Sequence, residues 1–198
     1  MGKDKLTHDQ AEKVKQIVWP LLPVLLRSAR YLTGCSEQAD DLVQETVLKA
    51  MGAIDSFKRD TNAKAWLLTI LRRIHIDWLR TSKRRVKTLS LDMDDGMDAV
   101  APAPAEAGIF DSQWDEPEMI LEAFEDTEVV AALKSLPEEI RWTLLLVDVE
   151  NLDHQQAARI LGIPEGTIKS RAFRGRGMLR DRLFRLARSR GLVEGSNP

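Results

Sequence analysis

Apolar residues recur along the chain mostly at intervals of three and four, the spacing of an amphipathic helix. Ser36 can cap one such helix, and Glu37 and Asp41 lie near its positive end. The apolar stripe of this helix consists of Ala39, Leu42, Val43, Thr46, Val47 and Ala50. Alternating apolar and polar stretches, which favour strands, are lacking in the sequence. The pattern therefore predicts an all-α protein.

Prolines and glycines divide the pattern into further helices. Pro20 and Pro23 break residues 8–33 into two helices, and Gly34 can close the second in a left-handed cap. Asn62 can cap a long helix whose inward face carries Trp66, Leu67, Ile70, Leu71, Ile74 and Trp78. We interpret its two tryptophans as core residues rather than platforms for stacking bases.

The C-terminal part carries the spacing of a helix-turn-helix. Asp153 and Gln156 resemble a capping box that opens a short helix, and Pro164 can open the next. Counted from His154, the fifth position is an alanine that lets helices cross, the ninth a glycine that permits positive φ, and the fifteenth a packing isoleucine, at Ala158, Gly162 and Ile168. A plain helical hairpin remains the alternative. Two glycines in the second helix, Gly175 and Gly177, suggest fraying, close packing or close approach to a partner.

The chain has a formal net charge of −2, but its charges are segregated. Residues 58–87 and 159–190 each hold ten basic and two acidic side chains, whereas residues 88–128 hold thirteen acids and no basic residue. Two basic blocks suggest two polyanion-binding modules, although solvated helix faces are the simpler alternative. The acidic block predicts a flexible linker, which could mimic nucleic acid, fold back on the basic helices, or serve as a solubilising tether.

Several classes of function are excluded or disfavoured. No apolar run reaches the roughly 20 residues of a membrane span, and the N-terminus lacks a signal-peptide core, so we expect a cytoplasmic protein without membrane insertion. Cys35 is the single cysteine, which excludes an intrachain disulfide and fits a core side chain better than a sensor thiol. The sequence shows no catalytic constellation, no phosphate-cradling loop and no metal-ligand spacing. We predict no enzyme activity and no cofactor.

Three segments in order resemble the extracytoplasmic-function (ECF) sigma factors of bacteria: "DLVQET" at 41–46, "AWLLTI" at 65–70 and "GTIKSR" at 166–171. The likeness covers about residues 20–187. It implies an alternative sigma factor that binds core RNA polymerase and promoter DNA, and the family leads us to expect an anti-sigma factor. The implied domains are region 2 at 1–87, a linker at 88–116, region 4 at 117–190, and a tail at 191–198.

The resemblance also implies site residues. Those expected to dock on the polymerase are Asp41, Leu42, Gln44 and Glu45. Candidates for the −10 element are Lys58, Arg59, Asn62, Lys64, Arg73, Arg80 and Arg84. Candidates for the −35 element are Lys169, Ser170, Arg171, Phe173, Arg174 and Arg176. Many relatives have Asn where this chain has Arg73. An arginine at this position is better suited to contact a phosphate than to read a base. Phe173 could instead be a core residue. The alternatives to a sigma factor are a stand-alone helix-turn-helix regulator and an interaction adaptor.

Overall fold

Helices make up the regular structure in residues 7–58, 61–89 and 127–190, which are those that the computed structural model describes. No β-strand occurs in these ranges, so the all-α prediction is confirmed. At 83–89 and 127–130 only the backbone is described. The helices are α1 His8–Ile17, α2 Leu22–Thr33, α3 Ser36–Gly52, α4 Ala63–Leu89, α5 Thr127–Lys134, α6 Glu138–Leu144, α7 His154–Leu161 and α8 Glu165–Ser189.

The first four helices form an N-terminal domain in which α2, α3 and α4 pack against one another. A 3₁₀ turn containing Pro20 separates α1 from α2, as the prolines predicted. Gly34 ends α2 with φ 58° and donates its N–H to the carbonyl of Arg30. One boundary was wrong by a residue: Cys35 is the N-cap of α3, and Ser36 is its first helical residue.

The last four helices, α5 to α8, form the C-terminal domain with the predicted helix-turn-helix. Both hydrogen bonds of the Asp153–Gln156 capping box are present at the start of α7. Gly162 takes the left-handed conformation between α7 and α8, with φ 69°. Ile168 is fully buried, so α8 is held on the helices beneath it. These contacts confirm the helix-turn-helix interpretation.

The two domains pack against each other. Helix α5 contacts α2, and α7 contacts α4. The Nη1 group of Arg141 donates to the carbonyl of Leu32 at 3.3 Å. The ring of His75 meets the ring of Trp142 edge-on, with centroids 5.7 Å apart. A shared apolar core therefore runs across the domain boundary.

The predicted segment boundaries are only partly within the described ranges. The backbone of α4 continues to Leu89, two residues past the predicted end of the first domain. The rest of the acidic linker, the helix start at Pro117 and the tail at 191–198 lie outside the described residues. The proposed functions of the linker therefore remain predictions.

Candidate polymerase and nucleic-acid interfaces

The exposed surface of α3 lies opposite the side that packs on the domain. Asp41 and Gln44 are exposed, as the amphipathic pattern predicted. Leu48 follows on the same side, four residues after Gln44, and is 62% exposed. We call Asp41, Gln44 and Leu48 the α3 outer face. The sequence prediction omitted Leu48, although an apolar residue outside the core stripe was the signal for it.

Two other residues of α3 that were predicted to contact polymerase do not lie on the α3 outer face. Leu42 has no exposed surface because it belongs to the apolar stripe, so it supports the outer face from beneath and is not available to a partner. Glu45 accepts a hydrogen bond from Nε1 of Trp78 at 2.9 Å, which ties α3 to α4. We therefore correct the expected contact set by removing Leu42 and assigning Glu45 a packing role in this conformation.

The predicted −10 residues do not form one surface. Lys58 is exposed, and Oδ1 of Asn62 accepts the N–H of Ala65 at 3.2 Å, which confirms the predicted helix cap. Arg73 and Arg80 are both exposed and lie seven residues apart, on one side of α4. Arg59 and the side chain of Arg84 lie outside the described residues.

Lys64 is separated from the other −10 candidates. It lies nine residues before Arg73, which places it about half a turn away around the helix. Its ammonium group donates to the backbone carbonyl of Glu150 in the C-terminal domain at 2.6 Å. In this conformation Lys64 is an interdomain contact and does not face a shared DNA surface.

The two tryptophans of α4 pack as predicted. Trp66 and Trp78 are partly buried against the core. The ring of Trp66 also meets that of Phe57, with centroids 5.0 Å apart.

Helix α8 presents four predicted residues to solvent directly after the turn. Lys169, Ser170, Phe173 and Arg174 are exposed, and we call them the recognition face. Phe173 is 42% exposed, so it is not a core residue. The inward side of the same two turns carries Ile168 and Ala172, both essentially buried. The sequence therefore directs polar and apolar residues to opposite sides of one helix.

Two further arginines of α8 bind acids of their own domain. Arg171 Nη2 lies 2.9 Å from Oε2 of Glu139, and the arginine side chain is only 20% exposed. Arg176 forms a forked contact with the carboxylate of Asp148, the shortest distance being 2.6 Å. The same hydrogen bond raises the pKa of Arg176. Both side chains fix the helix to the domain, so their predicted phosphate contacts require these ion pairs to open.

The two unusual glycines have different surroundings. A Cβ at Gly175 would lie 2.6 Å from a side-chain carbon of Ile140 and 3.1 Å from Leu144, so the glycine permits close packing of α8 on α6. A Cβ at Gly177 would meet no atom within 4 Å. Close packing explains Gly175, but nothing in the structure explains Gly177.

Both halves of this architecture match known protein families. Residues 18–85 match the family model of Sigma-70 region 2, and residues 126–179 match that of Sigma-70, region 4. The ECF RNA polymerase sigma factor EcfG of Rhodopseudomonas palustris is 35% identical over 173 residues, which is 87% of this chain and 86% of the relative. The chain belongs to the ECF RNA polymerase sigma factors. Such proteins are alternative sigma factors that bind core RNA polymerase and promoter DNA.

Other relatives support the same family assignment. ECF sigma factor SigC of Mycobacterium tuberculosis is 32% identical, with 90% of this chain and 83% of the relative covered. Among solved structures, the sigma factor RpoE of Bartonella quintana, crystallised with the anti-sigma factor NepR, matches with a TM-score of 0.66 and 32% identity. The match covers 87% of this sigma factor and 97% of that chain.

The matched regions coincide with the two structural units of the sigma factor. The region 2 match includes α2, α3 and most of α4, and the region 4 match includes α5 to α7 and the first part of α8. The α3 outer face and the recognition face therefore belong to different regions. Across the residues that the structure describes, we find no helix with the length and apolar character of a membrane span.

Proposed function

We propose that this sigma factor docks on core RNA polymerase through the α3 outer face and reads the −35 element through the recognition face. The observation that carries the proposal is the position of Lys169, Ser170 and Arg174 on the solvent side of the second helix of a helix-turn-helix. Such a helix enters the major groove, where Arg and Lys bond guanine and Ser reaches bases or phosphates.

The N-terminal domain would bind and open the −10 element. Lys58, Arg73 and Arg80 supply exposed positive charge for the DNA backbone. Arg59, Asn62, Lys64 and Arg84 remain predicted contacts, and Lys64 first has to leave its interdomain partner. In this assignment residues 1–87 act as region 2 and residues 117–190 as region 4.

The protein would act as an initiation factor rather than as an enzyme, in the cytoplasm where polymerase and chromosome meet. An anti-sigma factor is the regulatory partner that we propose, since the similar RpoE was crystallised with NepR.

The polymerase contact is tested by titrating labelled sigma factor with core enzyme. The double variant Asp41→Ala/Gln44→Ala should weaken binding about tenfold, because it removes two polar contacts of roughly 0.5–1 kcal/mol each. Glu12→Ala is the matched control, since Glu12 is an exposed acid on α1 outside the proposed face. Circular dichroism checks that each variant remains helical.

Equal affinity of the double variant and wild type would remove the α3 outer face from the proposal. If wild-type protein bound no core polymerase but bound a specific DNA sequence alone, the stand-alone regulator would be the better description.

A further inference from the structure

One acidic side chain of the C-terminal domain is fully buried, and its polar side-chain partners belong to the N-terminal domain. The carboxylate of Glu150 has no exposed surface. Arg27 donates to it from Nε at 3.2 Å and from Nη2 to both oxygens at 3.0 Å. The hydroxyl of Ser28 donates at 3.0 Å, and Nζ of Lys64 lies 3.6 Å away. We call Glu150, Arg27, Ser28 and Lys64 the Glu150 latch.

The backbone before Glu150 departs from an ordinary helix to deliver this side chain. A π-helical turn spans Leu145–Val149, and the N–H of Glu150 donates to the carbonyl of Leu145, five residues earlier, at 2.9 Å. Asn151 follows with φ 49°, in the left-handed region that residues other than glycine rarely adopt. Turns of these kinds cluster at functional positions. In a continuous α-helix Glu150 would project in a different direction.

A buried carboxylate is tolerated only while its partners are present, because its desolvation must be offset by charge and hydrogen bonds. Every side-chain partner in the latch comes from the other domain. Arg27 and Lys64 retain 29% and 28% of their side-chain exposure even in this packed form. On separation of the domains, all three charged groups can be hydrated, so the latch favours one arrangement without making it permanent.

We propose that the Glu150 latch holds the sigma factor in a closed form that must open before core polymerase and promoter DNA are engaged. The inference rests on the proposed function, because Lys64 is a −10 candidate held by Glu150. Two promoter elements at −10 and −35 also lie more than one helical turn of DNA apart, a turn being roughly 35 Å. Domains packed directly against each other cannot reach both elements.

The distance between domains tests the latch without polymerase or DNA. Spin labels are attached at Lys49→Cys and Arg188→Cys, two exposed positions on α3 and α8, in a Cys35→Ser background. Pulsed electron paramagnetic resonance should give a short, narrow distance distribution for the parent. Glu150→Gln, which keeps the shape and loses the charge, should give a longer and broader one. Asp181→Asn, an exposed acid of α8, is the charge-matched control and should leave the distance unchanged.

A second variant approaches the latch from the other domain. Arg27→Gln should lengthen the distance as Glu150→Gln does, and the double variant should add little, because both changes remove one interaction. An unchanged distance distribution in both single variants, with their helicity intact, would overturn the proposal.

The consequence for function is measured separately. In holoenzyme formation Glu150→Gln should bind core polymerase about three- to tenfold more tightly, since apparent affinity scales with the fraction of the open form. If the variant opens the domains but the sigma factor binds no polymerase, the proposal about the latch stands and the proposed function is contradicted. Unchanged polymerase affinity in an opened variant would show that the latch does not limit engagement, against the proposal.

Discussion

The two long basic helices, α4 and α8, differ in how their charges are used. On α4 the cations at Arg73 and Arg80 face solvent, Arg80 in an exposed pair with Asp77 at 3.7 Å. The buried side of α4 carries a histidine that meets the other domain. On α8, Arg171 and Arg176 are bound by acids of their own domain, and the buried side is made of small and aliphatic residues. Similar charge runs therefore give two different surfaces.

Basic composition alone therefore does not identify which residues contact nucleic acid. A cation that is already paired with a carboxylate has to exchange that partner for a phosphate, whereas a solvated cation does not. In the proposed −35 contact, the recognition face of α8 therefore depends on Lys169 and Arg174, whereas Arg171 and Arg176 hold the helix on its domain. Lys169 is itself paired with Glu165 at 2.8 Å, but this pair is exposed and of small energy.

The largest expected effect separates the two kinds of cation on α8. Lys169→Ala/Arg174→Ala should weaken promoter binding by the holoenzyme by about 2–4 kcal/mol, or roughly 30- to 1,000-fold, since each good base contact contributes about 1–3 kcal/mol. Arg171→Ala should change DNA affinity less than about threefold, because its partner is Glu139. Arg180→Ala, on the same helix outside the recognition face, is the control. A larger loss of promoter affinity from Arg171→Ala than from the double variant would contradict the assignment of Lys169 and Arg174 to DNA and of Arg171 to packing.

The buried side of α4 should make stability depend on pH. Burial and, secondarily, the charge of Arg141 lower the pKa of His75 to about 4 from an ordinary value near 6.5. As pH falls, the unfolded chain therefore binds a proton at His75 that the folded chain does not bind. The free energy of unfolding decreases between about pH 6.5 and pH 4, by up to about 3 kcal/mol. Urea unfolding of His75→Gln should show a shallower decline over that range.

His8→Gln is the control for this pH dependence, since His8 is exposed on α1. Parallel stability curves for wild type and His75→Gln between pH 6.5 and 4 would contradict the role given to His75.

The buried side of α8 should be intolerant of added volume at one position. Gly175→Ala should destabilise the protein by about 1–3 kcal/mol, because its methyl group meets Ile140 and Leu144. Thermal unfolding measures the effect. A variant as stable as wild type would show that α6 and α8 separate at little cost.

The smallest effect is expected two residues later on the same helix. Gly177→Ala should stabilise the protein by up to about 1 kcal/mol, since alanine is the better helix former and its methyl group meets no neighbour. Destabilisation of this variant in the same unfolding assay would mean that Gly177 serves the folded domain. If stability rises while promoter binding falls, the glycine serves the DNA complex instead.

Local rules predicted much of the fold because local chemistry decides it. Gly34 and Gly162 take the left-handed turns expected of them, and Asp153 and Gln156 make their capping box. The apolar spacing of α3 also showed which side would be buried. The same spacing should have excluded Leu42 as a surface contact, since a residue on the stripe belongs to the core.

The parts that escaped prediction depend on contacts distant in sequence. Glu150 lies in the polar stretch "DVENLD", which reads as exposed, and its burial follows only from the approach of Arg27 and Lys64 in the other domain. Arg171 looked like a phosphate contact, although its position three residues after buried Ile168 was a signal that it turns inward. Gly175 needed the approach of α6 before its role became visible.

The most direct test of the account is promoter selection by the reconstituted holoenzyme. Core polymerase is mixed with a library of random upstream DNA, with or without the sigma factor, and the transcripts are sequenced. The account predicts starts below a common two-part motif only when the sigma factor is present, and loss of the −35 part of that motif with Lys169→Ala/Arg174→Ala. Identical transcript profiles with and without the wild-type protein would contradict it.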